Sequence, residues 1–528
     1  MLSFTLTPYA STTWSWTGDV YTTADRACRI TPLVHPVTEH AAVTDGTRTL
    51  LVVRERQTAG GTGSAAPAGG PVAQVSPADY DRALANVLGW PADYVAVETR
   101  PGHPCRVSAG AARTTPLYLA ADGGTLHGSW NLADLRSSAV GICAREAARL
   151  LTYRPRYGTE TLFTGIRRLT ERATAVFGGS LYLHYPEPAL HAAPRDLMPG
   201  ADVLAAFTTA IDNALDARIL DLAATVFHLT GGFDSGTLAT RAACRWPGQV
   251  MTGALLVTGA GRQQQIRRRA KILAGLPFAG NDLVVDCAAV SPLQPDCPRV
   301  RGELISPYDE PLYRPFWELT SFAREHGARA LVTGLGGDEL VAVSPEESPD
   351  AGAANDHLTR RLPWLGPQAR AALPYADDGI APPAPVNAIT LLTLETTAPP
   401  LLRAGLWPVH PFTDPALIRL GEQLPLCWRE DKQLQRRQLA SLGYDDDVCT
   451  LAERESFTWL VEDSVKRHGT AILERMLVGG SPLFEDKLID PDQLRNTIAE
   501  ISREPWDEEY HAKLLQVIDV HLATAAFL

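Results

Sequence analysis

Between residues 223 and 333, short apolar runs alternate with stretches of helical spacing. A β-compatible run at 223–229 meets a glycine turn, and a helix-like stretch follows from 236 to 245. Strand-like runs at 249–257, 282–285 and 329–333 then alternate with helix-like stretches at 263–274 and 315–325. This rhythm predicts an α/β unit, a parallel sheet with helices on both faces. It is preceded by an amphipathic stretch at 203–220.

The first 195 residues read differently. Short strands, as at 49–53, 116–121 and 181–185, are separated by Gly, Pro and Asp turns. Residues 57–71 are rich in Gly, Ala, Ser and Thr and read as a loop. Residues 342–388 hold Pro/Gly/Ala/Asp-rich patches and read as a loop-rich insertion, and the remainder is mainly helical. At roughly 150 residues per domain, 528 residues allow two to four domains. Against 48 Lys and Arg stand 60 Asp and Glu, a formal net charge of −12. That balance argues against nucleic-acid and anionic-membrane partners, since both are bound by neutralising phosphate. The eight cysteines are scattered without CxxC spacing, which excludes a zinc or redox motif of that kind. The first basic residue is Arg26, no long apolar run is present, and a cytoplasmic protein without a membrane span is expected.

Two segments carry chemistry. His228-Leu229-Thr230-Gly231-Gly232-Phe233-Asp234-Ser235 ends an apolar run and opens a helix. Glycines there let backbone N–H groups and a helix N-terminus converge on an anion. Asp234 within such a cradle calls for a cation, as when a carboxylate holds Mg²⁺ beside phosphates. Thr333-Gly334-Leu335-Gly336-Gly337-Asp338-Glu339-Leu340 repeats the arrangement after another apolar run. In a parallel sheet both turns open at one edge, so Asp234 and Asp338 can share a metal ion.

Thr230–Ser235 resembles the S-G-G-x-D-S pyrophosphate loop of the asparagine synthetase superfamily, with Thr for the first Ser. Gly334–Leu340 resembles its G-x-G-x-D-E-L segment. Pro411-Phe412-Thr413-Asp414 resembles its P-F-x-D, and Lys432 with Arg436 its K-x-x-x-R. Residues 116–130 and 161–169 are similar to strands of the family's glutaminase domain. The resemblance implies two domains. Residues 1–195 would form an Ntn-hydrolase-like, class II glutaminase-like αββα domain. Residues 196–528 would form an ATP-pyrophosphatase domain of the adenine nucleotide α-hydrolase type. It further implies ATP and Mg²⁺, adenylation of a carboxylate with release of pyrophosphate, and attack by an amine. Leu229, Thr230, Gly231, Gly232, Asp234, Ser235, Thr333 and Gly334 are the implied nucleotide-binding residues. Asp234 and Asp338 are the implied metal ligands.

The departures matter equally. Glutamine-using members carry a cysteine just after the initiator Met; here the start is Met1-Leu2-Ser3-Phe4, so glutamine hydrolysis is not expected. Asparagine synthetases have Glu, and β-lactam synthetases Tyr, three residues before the metal-binding Asp of the second loop. Leu335 stands there and accepts no proton. Arg454, three residues before Phe457, takes the place of a family Lys. The combination resembles the lasso peptide macrolactam synthetases, which close a ring between an Asp or Glu side chain of a precursor peptide and its N-terminal amine. Alternatives are an amide ligase resembling the β-lactam synthetases or an ammonia-dependent asparagine synthetase, and a non-catalytic scaffold. The expected partners are the precursor peptide, a leader peptidase and a leader-binding protein. Lys432, Arg436 and Arg454 are the expected charge-stabilising residues. Asp309 and Glu310 are candidate bases for the amine, or else a solvated helix cap before Pro311. His410 is a weaker candidate against an ordinary core histidine. Arg267-Arg268-Arg269 reads as a solvated helix face or a contact for an acidic peptide.

Overall fold

The computed structural model describes residues 1–8, 13–58, 69–344, 347, 362–453, 455–501, 503 and 505–528. The chain is mixed α/β, with several sheets and many helices. Two seven-stranded sheets occupy the first 184 residues. One runs Ile166–Arg168, Tyr118–Asp122, Thr125–Ser129, Leu2–Leu6, Arg29–Pro32, Tyr21–Thr23 and Trp14–Trp16. The other runs Leu181–His184, Thr174–Phe177, Cys105–Ala109, Tyr94–Thr99, Thr49–Glu55, Thr38–Thr44 and Ala73–Gln74. Their inner faces share one core, in which Phe4, Leu6 and Ile30 meet Val53, Val97, Val107 and Phe177. The helix Pro77–Leu88 covers the outer face of the second sheet through Tyr80 and Val87, against Leu50, Val52 and Ala96. The helix Ala144–Leu151 covers the first, against Tyr118 and Ala120. Alternation along each strand produces these two-sided layers.

The five-stranded sheet is wholly parallel. Its spatial order is Asp282–Asp286, Met251–Leu256, Thr225–His228, Ala330–Val332 and Trp407–Val409. In chain order that is 3-2-1-4-5, so the winding reverses between the first and fourth strands. A crevice forms at such a switch point, outside the carboxyl ends of the two strands. Helices cover both faces. Leu238, Ala239 and Ile272 pack on the side of Phe227 and Val332, while Phe316 and Leu319 pack on the side of Val226 and Leu331.

Local differences from the sequence expectation have simple causes. The helix expected from residue 236 spans Phe233–Arg245, because Gly232 already serves as its N-cap. The expected loop-rich insertion contains the helix Pro367–Ala372, and Trp364 is fully buried with Leu362 and Leu365. Loop composition there hid an apolar cluster. The central part of the expected loop at 57–71 lies outside the described residues. No cysteine is disulfide-bonded, and five of the eight are buried. Among the described residues, no helix is long and apolar enough to cross a membrane.

The first 195 residues and the rest meet across a buried polar seam. Arg168 Nε donates to Glu395 Oε1 at 2.8 Å, and the Tyr118 hydroxyl donates to the same oxygen at 2.6 Å. The Tyr308 hydroxyl donates to Glu146 Oε1 at 2.9 Å. Arg149 donates to the carbonyl oxygens of Ala376 and Asp378 at 2.8 and 2.6 Å.

Candidate functional site

Both glycine segments follow the two strands that flank the switch point. The first leaves the strand Thr225–His228 through Leu229. Arg269 Nε donates to the Leu229 carbonyl at 2.8 Å, and its Nη2 donates to Asp282 Oδ1 at 2.6 Å. Gly231 adopts φ +98°, a conformation that disfavours any side chain. The turn closes on itself: the Thr230 amide donates to Ser235 Oγ at 3.1 Å, and the Gly232 amide donates to Thr230 Oγ1 at 3.2 Å. The hydroxyls of Thr230 and Ser235 also lie 3.0 Å apart, so they shape the loop. Leu229 is fully buried and its side chain belongs to the core.

The second segment follows Ala330–Val332. Thr333 Oγ1 lies 2.7 Å from His410 Nδ1 and accepts from the Leu335 amide at 3.3 Å. Thr333 is buried, and these two hydrogen bonds set the loop's shape. The glycines of this segment allow it to lie on the first. A side chain at Gly334 would come within 2.7 Å of the Ser235 amide, and one at Gly337 would collide with the Asp234 carboxyl.

Asp234 and Asp338 converge on one cation, the Lys432 ammonium. Lys432 Nζ is 2.7 Å from Asp338 Oδ1 and also contacts Asp234 Oδ2. Gln435 Nε2 donates to Asp234 Oδ1 and to the Gly337 carbonyl, both at 3.2 Å. Burial pushes Asp234 up to about 6 despite the Lys432 charge, and neighbouring Asp338 pushes the same way. Burial opposes the Lys432 charge, but the two carboxylates outweigh it and raise its pKa. Lys432 reaches this point from a strained turn: Asp431 and Lys432 both have positive φ, 48° and 56°. Arg436 Nε donates to the Asp431 carbonyl at 2.5 Å and its guanidinium lies over the Phe233 ring, 4.5 Å from the centroid. Arg436 therefore holds the turn and does not reach the carboxylate pair itself.

Sequence reasoning missed Glu455. Its carboxylate lies on the first glycine turn: a Cβ added to Gly231 would be 2.7 Å from Oε1, and one added to Gly232 would be 3.6 Å from Oε2. Burial pushes it up to about 7, against the pull of Arg268 and the Thr230 hydroxyl. The segment is fastened to the helix Gly261–Gly275, where Gln264 Oε1 accepts from the amides of Ala452 and Glu453 at 2.9 and 3.1 Å. No local signal marked Glu455; only the contact across the fold does. Its neighbour Arg454 lies outside the described residues.

Other expectations are corrected. Asp309 is buried and ion-paired to Arg403, which denies it the role of an accessible base and also of a solvated cap. Glu310 Oε1 accepts from the Leu312 amide at 3.2 Å, and the Glu310 amide donates to the Thr396 carbonyl at 3.0 Å, so the two acids pack on the helix Ala388–Arg403. Neither touches Asp234 or Asp338. His410 is a core histidine, with burial pushing its pKa down to about 3. Arg268 and Arg269 are buried, overturning the solvated face: Arg268 Nη2 donates to the Val448 carbonyl at 2.7 Å. A cavity of about 480 Å³ lies over Tyr313, Trp317 and Arg403 and shares no residue with the carboxylate pair.

Among the described residues no group of three or more His, Cys, Asp or Glu is placed to hold a metal ion. A scan against protein-family models finds no match, and a search of curated proteins finds none either.

Proposed function

We propose that this chain is an ATP-dependent, AMP-forming carbon–nitrogen ligase that cyclises a peptide. In this reading an Asp or Glu side-chain carboxylate of a precursor peptide is adenylated, and the peptide's own N-terminal amine closes a macrolactam, as in lasso peptide biosynthesis. A leader peptidase and a leader-binding protein would deliver the peptide, and the compartment would be cytoplasmic. The carrying observation is the meeting of Asp234 and Asp338 at one cation, under a glycine turn at the sheet's switch point. It supports the asparagine-synthetase-like reading because two carboxylates that close on an ammonium have the charge and reach to close on Mg²⁺.

Bound Mg²⁺·ATP would supply the activating adenylyl group. Asp234 and Asp338 would hold the metal, with phosphate oxygens or water completing a shell the protein leaves open. The Gly231 amide and the N-terminus of the helix Phe233–Arg245, which Gly232 caps, would take phosphate charge. Lys432, kept charged by its two carboxylates, would turn to the same charge, and Arg436 would keep it positioned. Residues 1–195 would act as a mould holding the peptide folded, since positioning supplies on the order of 7–11 kcal/mol of such a barrier.

The test uses peptides with a free N-terminus and an Asp or Glu several residues along. Expected are peptide-dependent exchange of pyrophosphate into ATP and, on closure, loss of one water's mass. Asp234→Asn and Asp338→Asn should each abolish the exchange; full activity in both would refute the assignment. Asparagine formation from aspartate and ammonia is not expected.

A further inference from the structure

Two side chains at the start of one helix hold the two oxygens of one carboxylate. Lys432, the N-cap of the helix Gln433–Ser441, contacts Asp234 Oδ2. Gln435, within the first turn of that helix, donates through Nε2 to Asp234 Oδ1 at 3.2 Å. The same nitrogen donates to the Gly337 carbonyl at 3.2 Å, so one amide ties the two glycine segments together. Oδ1 is enclosed from a second side, since a Cβ at Gly337 would stand 2.5 Å from it. Asp234 therefore has an inner oxygen, boxed by Gln435 and Gly337. Its outer oxygen faces the ammonium that it shares with Asp338.

Stability alone is a poor account of Gln435. The residue is fully buried, and its Oε1 is buried with no hydrogen-bond partner among the described residues. An unpaired buried acceptor is costly, and a leucine would fill a similar volume without one. Turning the amide round gives no relief, because the Gly337 carbonyl and an ionised Asp234 only accept hydrogen bonds. What the amide achieves at this position is a fixed Asp234 carboxylate.

We infer that Gln435 is a positioning residue that limits Asp234 to one metal-facing oxygen, and that the carboxylate pair thereby selects Mg²⁺ over Ca²⁺. The inference rests on the metal assignment made under the ligase reading above. Mg²⁺ demands near-octahedral geometry and keeps waters or phosphate oxygens beside one or two carboxylates. One oxygen each from Asp234 and Asp338 suits it. Ca²⁺ is larger, takes about six to eight oxygens and often draws on both oxygens of a carboxylate. Displacing Lys432 frees the outer oxygen of Asp234 alone. The inner one becomes available only if the Gln435 hydrogen bond breaks.

The test uses the full chain and an ATP analogue with a methylene bridge between the α- and β-phosphates, which is not cleaved there. Calorimetry measures its affinity with excess Mg²⁺ and with excess Ca²⁺, for the parent and for Gln435→Leu. The parent should bind the analogue more tightly with Mg²⁺. One hydrogen bond to a charged group shifts an equilibrium by on the order of tenfold, so the Mg²⁺ preference should fall by about that factor in the variant. An unchanged preference would overturn the inference, including affinities that drop equally with both metals, as a merely structural role would give. A second measurement needs no variant. Mn²⁺, which shares the octahedral oxygen preference of Mg²⁺, is located by its anomalous scattering in crystals of the parent with the same analogue. It should lie on one oxygen of Asp234, and a bidentate Asp234 would overturn the inference. Failure of the metal assignment shows separately, as a parent that binds the analogue no better with Mg²⁺ than with EDTA, and would remove this proposal with it.

Discussion

Lys432 Nζ lies 2.7 Å from Asp338 Oδ1, and through its second contact with Asp234 it binds two glycine loops that come from different strands. Removing that cation leaves two carboxylates facing one another, one of them buried. Lys432→Met should therefore cost on the order of 1–3 kcal/mol of stability. Magnesium should restore more stability to the variant than it adds to the parent, because the metal no longer displaces an ammonium and binds only the folded form. Thermal melts with Mg²⁺ and with EDTA check this, and a variant indifferent to Mg²⁺ would contradict the metal assignment.

Glycine at position 337 is required by Asp234. A methyl group there would meet the Asp234 carboxyl, whereas one at Gly280 would meet nothing within 4 Å. Gly337→Ala should displace Asp234, abolish nucleotide-dependent activity and cost on the order of 1–3 kcal/mol. Gly280→Ala should behave as the parent in both respects. Calorimetric ATP titration and urea denaturation read the two effects.

Glu455 brings an acid to the turn that should bind phosphate. Glu455→Gln keeps the shape and removes the charge. ATP affinity should rise severalfold, by on the order of 1 kcal/mol. A weaker affinity in the variant would mean that the carboxylate organises the loop for its ligand.

His228, half-buried, and His410, buried, stand beside the two loops. Burial, with Arg269 adding to it, holds His228 down to about 4; burial, with Arg218 and His228 adding to it, holds His410 down to about 3. The unfolded chain takes up these protons near the ordinary value of 6.5, and the folded chain does so only at the lower values. Their stabilisation is thus present above pH 6.5 and is lost as pH falls towards 4 and 3. Denaturation midpoints measured from pH 7 to 4 should fall, and His410→Gln should remove one proton's share of the slope.

Much of the parallel sheet was legible because glycine turns punctuate it at the strand ends. That Asp234 and Asp338 come together followed from the parallel-sheet rule; Lys432 entered only through a resemblance, as a charge-stabilising residue, and its place between the two carboxylates was not foreseen. What failed was reading charge as exposure. Arg268 and Arg269 are buried because backbone carbonyls of Val448 and Leu229 accept from them, partners that lie 180 and 40 residues away. Asp309 failed for the same reason, since Arg403 is remote in sequence. Glu455 was invisible because only the folded chain brings it to Gly231. Residues such as Trp364 were hidden by a composition that favours loops and says little about what a single indole buries.

The polar seam makes the chain poor material for dissection. A fragment lacking the first 195 residues would carry Glu395 without Arg168 and Tyr118, and Tyr308 without Glu146. Breaking a buried ion pair from one side costs about 3–5 kcal/mol, a large part of the stability of an ordinary domain. Grafting either portion onto a relative would fail for the same reason unless the facing charges travel together. The seam makes the two portions a single unit of inheritance: a change on one side at Arg168 is tolerated only with a matching change at Glu395.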